Sequence, residues 1–443
     1  MKKFVAVCLV LFMTAISYVS EAHAETALKY GAALRLRQEI WDNVVDLGTG
    51  QADRNFFRMR FNLWGDYAFN KDNDIYLRLT SEPKYYFGDF KPNGARNGDR
   101  LNEDEIVMDN IYVQSKNLFG LPVDVKIGRQ DFLGAFGEMF LIADGTPGDG
   151  SRTFYFNAAR ATVKLGSSSN VDLVYISDPK TDTYLPSLHS DPKVQLTSSN
   201  EQGFVVYGRT KIADKVAVEP YYMYKTEKAF GSTPDLDLNT IGARVAVNID
   251  SWKFGGEFAH QFGEYDGGTD RRGNGGYVYV GNKYDNIALK PEWELRYVYL
   301  SGDDPGTSGK VEAWDPLFSR NPNWNELMIY TYILENLKLG GALPGYWTNL
   351  NLYKVGLNLT ISPESKLMLS YQYLTAPEST QGLNPAVFSN DGKTRGHLPT
   401  MIFTHKFSKN IDGMVQAEYF MPRSFYSSDN NATFLRLQLQ FKI

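Results

Sequence analysis

The chain has 443 residues, 46 Lys and Arg against 51 Asp and Glu for a formal charge of -5, and an aromatic fraction of 14%. That acidic balance lacks the basic footprint of a nucleic-acid binder, so no nucleic acid is expected as a partner. Cysteine occurs once, as Cys8 inside the N-terminal leader, so the mature chain is expected to hold no disulfide, no thiolate nucleophile and no cysteine metal site.

The leader comes first in chain order. Met1-Lys2-Lys3 is a positive stretch, Phe4 to Val19 contains an apolar run, and Ala22-His23-Ala24 has the small-x-small form of a cleavage site. Residues 1–24 therefore read as a signal peptide, and residues 25–443 as one secreted domain beginning at Glu25. Beyond the leader no stretch approaches the ~20 consecutive apolar residues of a spanning helix. Mean hydropathy is -0.36, a value compatible with a barrel because half of each strand faces a polar lumen.

From Leu28 onward the chain alternates with a period of two. Leu34 and Leu36 alternate with Arg35, Arg37 and Glu39. Phe57, Met59, Phe61, Leu63, Tyr67 and Phe69 make one face against Arg58, Arg60, Asn62, Trp64 and Asp66. Ile75, Leu77 and Leu79 oppose Tyr76, Arg78 and Thr80, and Trp293, Leu295, Tyr297 and Tyr299 oppose Glu294 and Arg296. The last segment, Ala432 to Ile443, is the clearest: Leu435, Leu437, Leu439, Phe441 and Ile443 alternate with Arg436, Gln438, Gln440 and Lys442. Alternation means a strand with one apolar face.

Tight turns rich in Asn, Asp, Ser and Pro recur at 70–73, 166–170, 213–214, 250–251, 362–365 and 409–412. Longer polar segments lie near 41–54, 84–104, 131–151, 177–200, 263–276, 302–349, 376–397 and 422–431. Short turns on one side and long loops on the other, with about 18 strands of ~10 residues, predict an all-β fold: a transmembrane antiparallel β-barrel of the bacterial outer membrane. Loops 131–151 and 302–349 are long enough to fold into the lumen as constrictions or plugs.

If the apolar face meets lipid, the polar face meets the lumen. Its basic residues are Arg35, Arg37, Arg58, Arg60, Arg78, Lys126, Arg160, Lys164, Arg244, Lys253, Arg296, Lys354, Arg436 and Lys442. Its acids are fewer: Glu39, Asp66, Asp124, Asp172, Glu219, Glu257, Glu294 and Glu418. A wall more basic than the whole chain points to anionic solutes, since charged rings set a pore's ion preference. Arginine suits this task because its planar fork holds a carboxylate with two hydrogen bonds. The competing reading is an Arg–Glu brace that contacts no solute. Arg35, Arg37, Arg58, Arg60 and Arg78 form the strongest group, with Glu39 and Asp66 as the acids that would cancel them.

Short phrases distributed along the chain carry a resemblance. They are Arg35-x-Arg37-x-Glu39, Ile127-Gly128-Arg129-Gln130, Ser151-Arg152-Thr153-Phe154, and Tyr297 to Pro305 followed by Asp315-Pro316-Leu317-Phe318. Together they resemble the bacterial alginate-export family of outer-membrane barrels over nearly the whole mature chain. The resemblance implies an 18-stranded barrel that passes an anionic polysaccharide through an arginine-lined pore, and adds Arg129 and Arg152 to the pore-lining set. Strict alternation sends Arg129 to the lipid side, so its place in the lumen requires a bulge near Gly128.

The expected function is an outer-membrane channel for anionic saccharides or small anions, with alginate or another acidic exopolysaccharide as one solute. Bilayer lipid and lipopolysaccharide would surround it, and periplasmic export proteins are potential partners. Two alternatives differ in class: a barrel enzyme such as a lipid hydrolase, and a structural or adhesion barrel with a blocked lumen. Only His189, His260, His397 and His405 follow the leader, with no Gly-x-Ser-x-Gly or His-Glu-x-x-His motif, so catalysis is not expected. No cofactor or metal is expected either; Ser301 to Gly306 reads as a turn rather than a calcium site.

Overall fold

The computed structural model describes residues 27–44, 53–87, 105–143, 155–188, 196–197, 199–319, 347–382 and 385–443. The leader, its cleavage site and the 151–154 motif with Arg152 lie outside the described residues. Eighteen strands form the wall: β1 (Ala27–Asp42), β2 (Arg54–Ala68), β3 (Asn73–Ser81, continued by Lys84–Phe87), β4 (Ile106–Ser115), β5 (Val123–Gln130), β6 (Phe156–Lys164), β7 (Ser169–Asp178), β8 (Glu201–Ile212), β9 (Val216–Glu227), β10 (Leu236–Ile249), β11 (Trp252–Tyr265), β12 (Thr269–Lys283), β13 (Glu292–Leu300), β14 (Leu350–Thr360), β15 (Ser365–Thr375), β16 (Thr394–Lys406), β17 (Ile411–Pro422) and β18 (Ala432–Lys442). Each is antiparallel to the next, and the expected all-β barrel is found.

Closure is made by the two chain ends. β18 pairs with β1 from Ala33↔Lys442 to Asp42↔Thr433, so neither is left as an edge. The terminal residue completes the seam: Ala32 and Ile443 exchange backbone hydrogen bonds of 3.1 and 2.9 Å. Every strand backbone thereby finds its partners within the wall, the condition for crossing hydrocarbon.

The alternating pattern maps onto the two faces as expected. Leu437 and Leu439 are 45% and 40% exposed on the outside, whereas Arg436 between β1 and β17 is 3% exposed. Phe61, Leu63, Phe258, Val278, Leu295 and Val355 continue the exposed apolar band around the barrel. Large apolar side chains on the outside and charged ones within invert the arrangement of a water-soluble protein, and the band requires hydrocarbon around it.

Two expectations about connections change. Residues 263–276, read as a long loop, instead belong mostly to β11 and β12, joined by Asp266-Gly267-Gly268. Gly267 and Gly268 have φ of 104° and 84°, which glycine alone adopts without strain. Alternation is lost there because Asp270 to Gly276 contains three glycines and four polar residues, so no apolar side chain marks either face. Residues 84–87 likewise extend β3.

The end opposite the termini carries the long connections, and two of them turn inward. Residues 131–143 follow β5 across the lumen, burying Phe132, Phe136, Phe140 and Ile142. Ile142 forms a parallel bridge with Phe318 from the connection after β13, with Ala143 N donating to Phe318 O at 2.9 Å. The hydrophobic core therefore lies inside that half of the barrel, under loops, as expected for segments able to constrict it.

The face assignment predicts unequal responses to charge. Leu437→Arg should lower unfolding free energy by about 2–4 kcal/mol, while Gln440→Arg, facing inward, should change it far less. Urea titration of the folded barrel in lipid vesicles measures both; equal losses would mean that β18 is not lipid-facing. Deleting residues 434–443 should abolish the heat-dependent gel shift of the folded barrel, because β1 and β17 would both become edges.

Candidate functional site

Register decides where charge accumulates. On the inward face Arg35 stands directly opposite Arg60, and Arg37 opposite Arg58. Like charges directly opposed across strands repel, so such a pairing needs counter-ions. Two carboxylates provide them. Glu82 accepts from Arg35 Nη2 at 2.7 Å and from Arg58 Nε at 2.6 Å, and pairs with Arg60 as well. Glu39 accepts from Arg436 Nε at 2.9 Å and lies 3.5 Å from Arg58 and 3.7 Å from Arg37. Arg37 Nε also donates to Gln438 at 2.5 Å, and Arg436 reaches Gln416 at 3.0 Å.

The cluster thus joins five guanidiniums to two carboxylates, an excess of three positive formal charges in these direct contacts. It is layered. Arg58 and Arg436 are 2% and 3% exposed, under an aromatic roof in which Trp41 meets Phe56 at 5.2 Å and Phe434 at 6.2 Å. Arg35, Arg37 and Arg60 remain partly open towards the lumen, with 14–17% of each side chain accessible. On the same wall, nearer the termini, Trp64, Tyr76 and Tyr112 form a row with centroids 6.2 and 5.1 Å apart, and Lys126 lies 4.2 Å above the Tyr112 ring.

The sequence pairs these arginines with Glu39 and Asp66. Glu39 holds that place, but the second acid is Glu82; Asp66 sits opposite Lys29 and Tyr76. Glu82 was legible from alternation, following Tyr76, Arg78 and Thr80 on one face. Pro83 obscured it by removing a ladder donor and suggesting a strand end. The register runs through the proline nonetheless: Phe61↔Ser81 and Arg58↔Lys84 belong to one continuous pairing, and Met59 N donates to Pro83 O at 3.0 Å.

The remaining arginines are individually braced. Arg78 grips Asp109, with 3.0 Å to each oxygen from Nε, and lies 3.6 Å from Asp131. Asp109 is available because the β3–β4 register shifts at Arg78/Leu79 and the bulge turns it inward. Arg160 holds Asp172 through bonds of 3.0 and 2.9 Å, sharing it with Arg209, which alternation had not identified. Arg244 pairs with Glu219 at 3.0 Å. Arg296 binds Glu294 at 2.8 Å and the loop residue Glu138 at 2.6 Å.

Arg129 departs from the resemblance. No register shift occurs at Gly128; Arg129 pairs with Asn157 on the outer face, opposite to Phe156 and Ala158. There it is sealed by the connection after β7, with Asp182 accepting from both terminal nitrogens at 2.7 and 3.1 Å and Tyr155 4.4 Å beneath it. The residue clamps a loop to the barrel exterior and is not part of the lumen wall.

The inward loop is docked by stacking and ion pairs. Phe136 meets Tyr207 edge-on at 5.1 Å, and Phe140 stacks on Trp314 at 5.2 Å with an interplanar angle of 11°. Gln261 clamps the Asp315 backbone by two hydrogen bonds of 2.7 and 2.9 Å, while Lys225 donates to Leu317 O at 2.9 Å. The loop lies along β8–β13, leaving the arginine cluster on β1, β2 and β18 facing it across the lumen. Of the described histidines, His397 approaches the Tyr371 hydroxyl at 2.7 Å, and His405 approaches an aliphatic hydroxyl, Ser365 Oγ at 2.8 Å. A nucleophile–base pair needs a third group to orient the base, and this pair has none among the described residues.

An eighteen-stranded closed antiparallel barrel, apolar outside and charged within, with long loops folded into its lumen, is an outer-membrane channel. The sequence matches the alginate-export family over residues 26–427, and the chain belongs to that family. Its fold is that of solved porins at low sequence identity. The BenF-like porin of Pseudomonas fluorescens Pf-5 superposes with a TM-score of 0.59 at 12% identity, covering 95% of this chain and 100% of that one. OccK5 (OpdH) of Pseudomonas aeruginosa gives 0.57 at 11% identity, covering 96% and 99%, and OprD of the same organism 0.56 at 11%, covering 96% and 98%. Comparison with curated protein sequences finds no match.

The docking contacts predict that the loop can be loosened without unfolding the wall. Phe140→Ala removes a buried ring, a change that costs about 3–5 kcal/mol in a packed core. Single-channel recordings should show a larger or noisier conductance than wild type while the heat-dependent gel shift is retained; unchanged conductance would mean that residues 131–143 do not limit the passage.

Proposed function

We propose that this channel passes anionic solutes, carboxylate-bearing saccharides among them, and that in keeping with its family these include segments of an acidic exopolysaccharide such as alginate. The observation that carries the reading is the excess positive charge of the cluster formed by Arg35, Arg37, Arg58, Arg60 and Arg436, three of whose guanidiniums stay partly open to the lumen. Adjacent strands lie ~4.8 Å apart, so successive guanidiniums can hand a carboxylate from one fork to the next. Conduction needs several weak sites in series, and a strip of this kind supplies them. The row of Trp64, Tyr76 and Tyr112 adds apolar surface with polar handles on the same wall, which suits a saccharide better than a bare inorganic ion.

In this reading Arg78, Arg160, Arg244 and Arg296 are the outlying steps of the same basic wall, each tempered by its own acid. Residues 1–24 would bring the chain to the outer membrane as a cleaved leader, and polymer export would draw on periplasmic partners at the end carrying the termini. The braced reading has its own support, since each of these arginines has a carboxylate partner.

Replacing Arg35, Arg37 and Arg60 together with Gln separates the two. These three are chosen because Arg58 and Arg436 are buried under the aromatic roof. In a planar bilayer under a KCl gradient, the reversal potential should move towards cation preference, and more so below ~0.1 M salt, where the Debye length exceeds ~10 Å. An intact, conducting triple variant with unchanged reversal potential would assign these residues to bracing alone.

A further inference from the structure

We propose that Glu82 is a resident counter-ion occupying the place of a solute carboxylate on the arginine strip, and that passing carboxylates displace it from the guanidiniums in turn. It thereby sets how long an anionic solute stays bound. The proposal rests on the anion-channel reading above and adds a residue that governs it.

The geometry is that of a bound ligand more than of a single brace. Glu82 is directly opposite Arg60 in the β2–β3 register, and its side chain is fully buried. It accepts from three guanidiniums on two strands, Arg35, Arg58 and Arg60. A carboxylate offers about four lone-pair positions, whereas three guanidiniums carry about fifteen N–H donors, so one acid cannot saturate them. The shortfall is visible at Arg35, whose Nε is buried and makes no hydrogen bond among the described residues. An unmet donor of this kind carries a standing desolvation cost, so the strip stays short of acceptors even with Glu82 in place.

The direction of approach is also set. Glu82 holds Arg35 and Arg60 from within the wall, while both retain accessible surface towards the lumen. An entering carboxylate therefore competes with Glu82 for the charge of the same two guanidiniums instead of meeting bare cations. Without that competition three guanidiniums, two of them facing the lumen, would hold an anion by several charge-assisted bonds at once. Such a site would trap what it is meant to pass.

The experiment uses single-channel recordings of the full barrel with sodium galacturonate as the probe, in wild type, Glu82→Gln and Glu82→Asp. Glu82→Gln should lengthen galacturonate residence by about tenfold or more, the factor expected when a competing charge is removed from a desolvated anion site. Glu82→Asp keeps the charge and should stay within about threefold of wild type. An anion-selective Glu82→Gln channel with wild-type residence time would overturn the proposal. If Glu82→Gln does not fold alone, galacturonate added during refolding should restore the heat-shifted barrel, since a ligand of the native state stabilises it; failure to restore it would equally overturn the proposal. Wild-type reversal potential is read separately. A wild type without anion preference, beside longer residence in Glu82→Gln, would overturn the solute reading and leave the role of Glu82 standing.

Discussion

The pairing of the last strand with the first is the constraint from which the other features follow. A backbone in hydrocarbon cannot borrow hydrogen bonds from water, so an open sheet would leave β1 and β18 each with a row of unmet donors and acceptors. Closing the sheet removes both rows at once. It also fixes the register between β18 and β1, and with it which side chains meet at the seam. Glu39 is brought opposite Arg436, and Arg37 opposite Gln438, only because Ala33 is held against Lys442. The chemistry of the cluster is therefore a consequence of closure.

A second consequence is that the wall tolerates repulsion where a soluble sheet would avoid it. Two directly opposed arginine pairs between β1 and β2 are sustainable because Glu39 and Glu82 bridge them from neighbouring positions. The covered pair, Arg58 and Arg436, anchors the carboxylates. The open group, Arg35, Arg37 and Arg60, presents what charge is left. One cluster thus contains both a brace and an exposed basic strip, the two readings that the sequence sets against each other.

The loops repeat this economy with apolar contacts. Phe132, Phe136, Phe140, Trp314 and Phe318 form a core within one half of the lumen, so the segment that turns inward is docked as firmly as a protein interior. Glu138 and Asp131 carry acids from that segment to the basic wall, reaching Arg296 and Arg78. The lumen is accordingly asymmetric, with a packed, partly acidic loop along β8–β13 and a basic wall facing it.

The sequence by itself determined the strand pattern, the two faces and the closing strand, because alternation in Ala432–Ile443 and its counterparts reports directly on lipid at one face and water at the other. It also located Arg35, Arg37, Glu39, Arg58 and Arg60 together, since strands adjacent in the chain are adjacent in the wall. The pattern faded in Asp270–Gly276, where glycines and polar residues leave no apolar face, and at Pro83, where a missing N–H resembled a strand end. Partnership was decided only by the tertiary structure. Asp109 turned inward by a bulge and Asp182 over an outward Arg129 depend on a register shift and a loop path, while Glu82 in place of Asp66 and Arg209 beside Arg160 depend on side-chain reach across neighbouring strands. Those are set by contacts between residues far apart in the chain, which a period of two cannot encode.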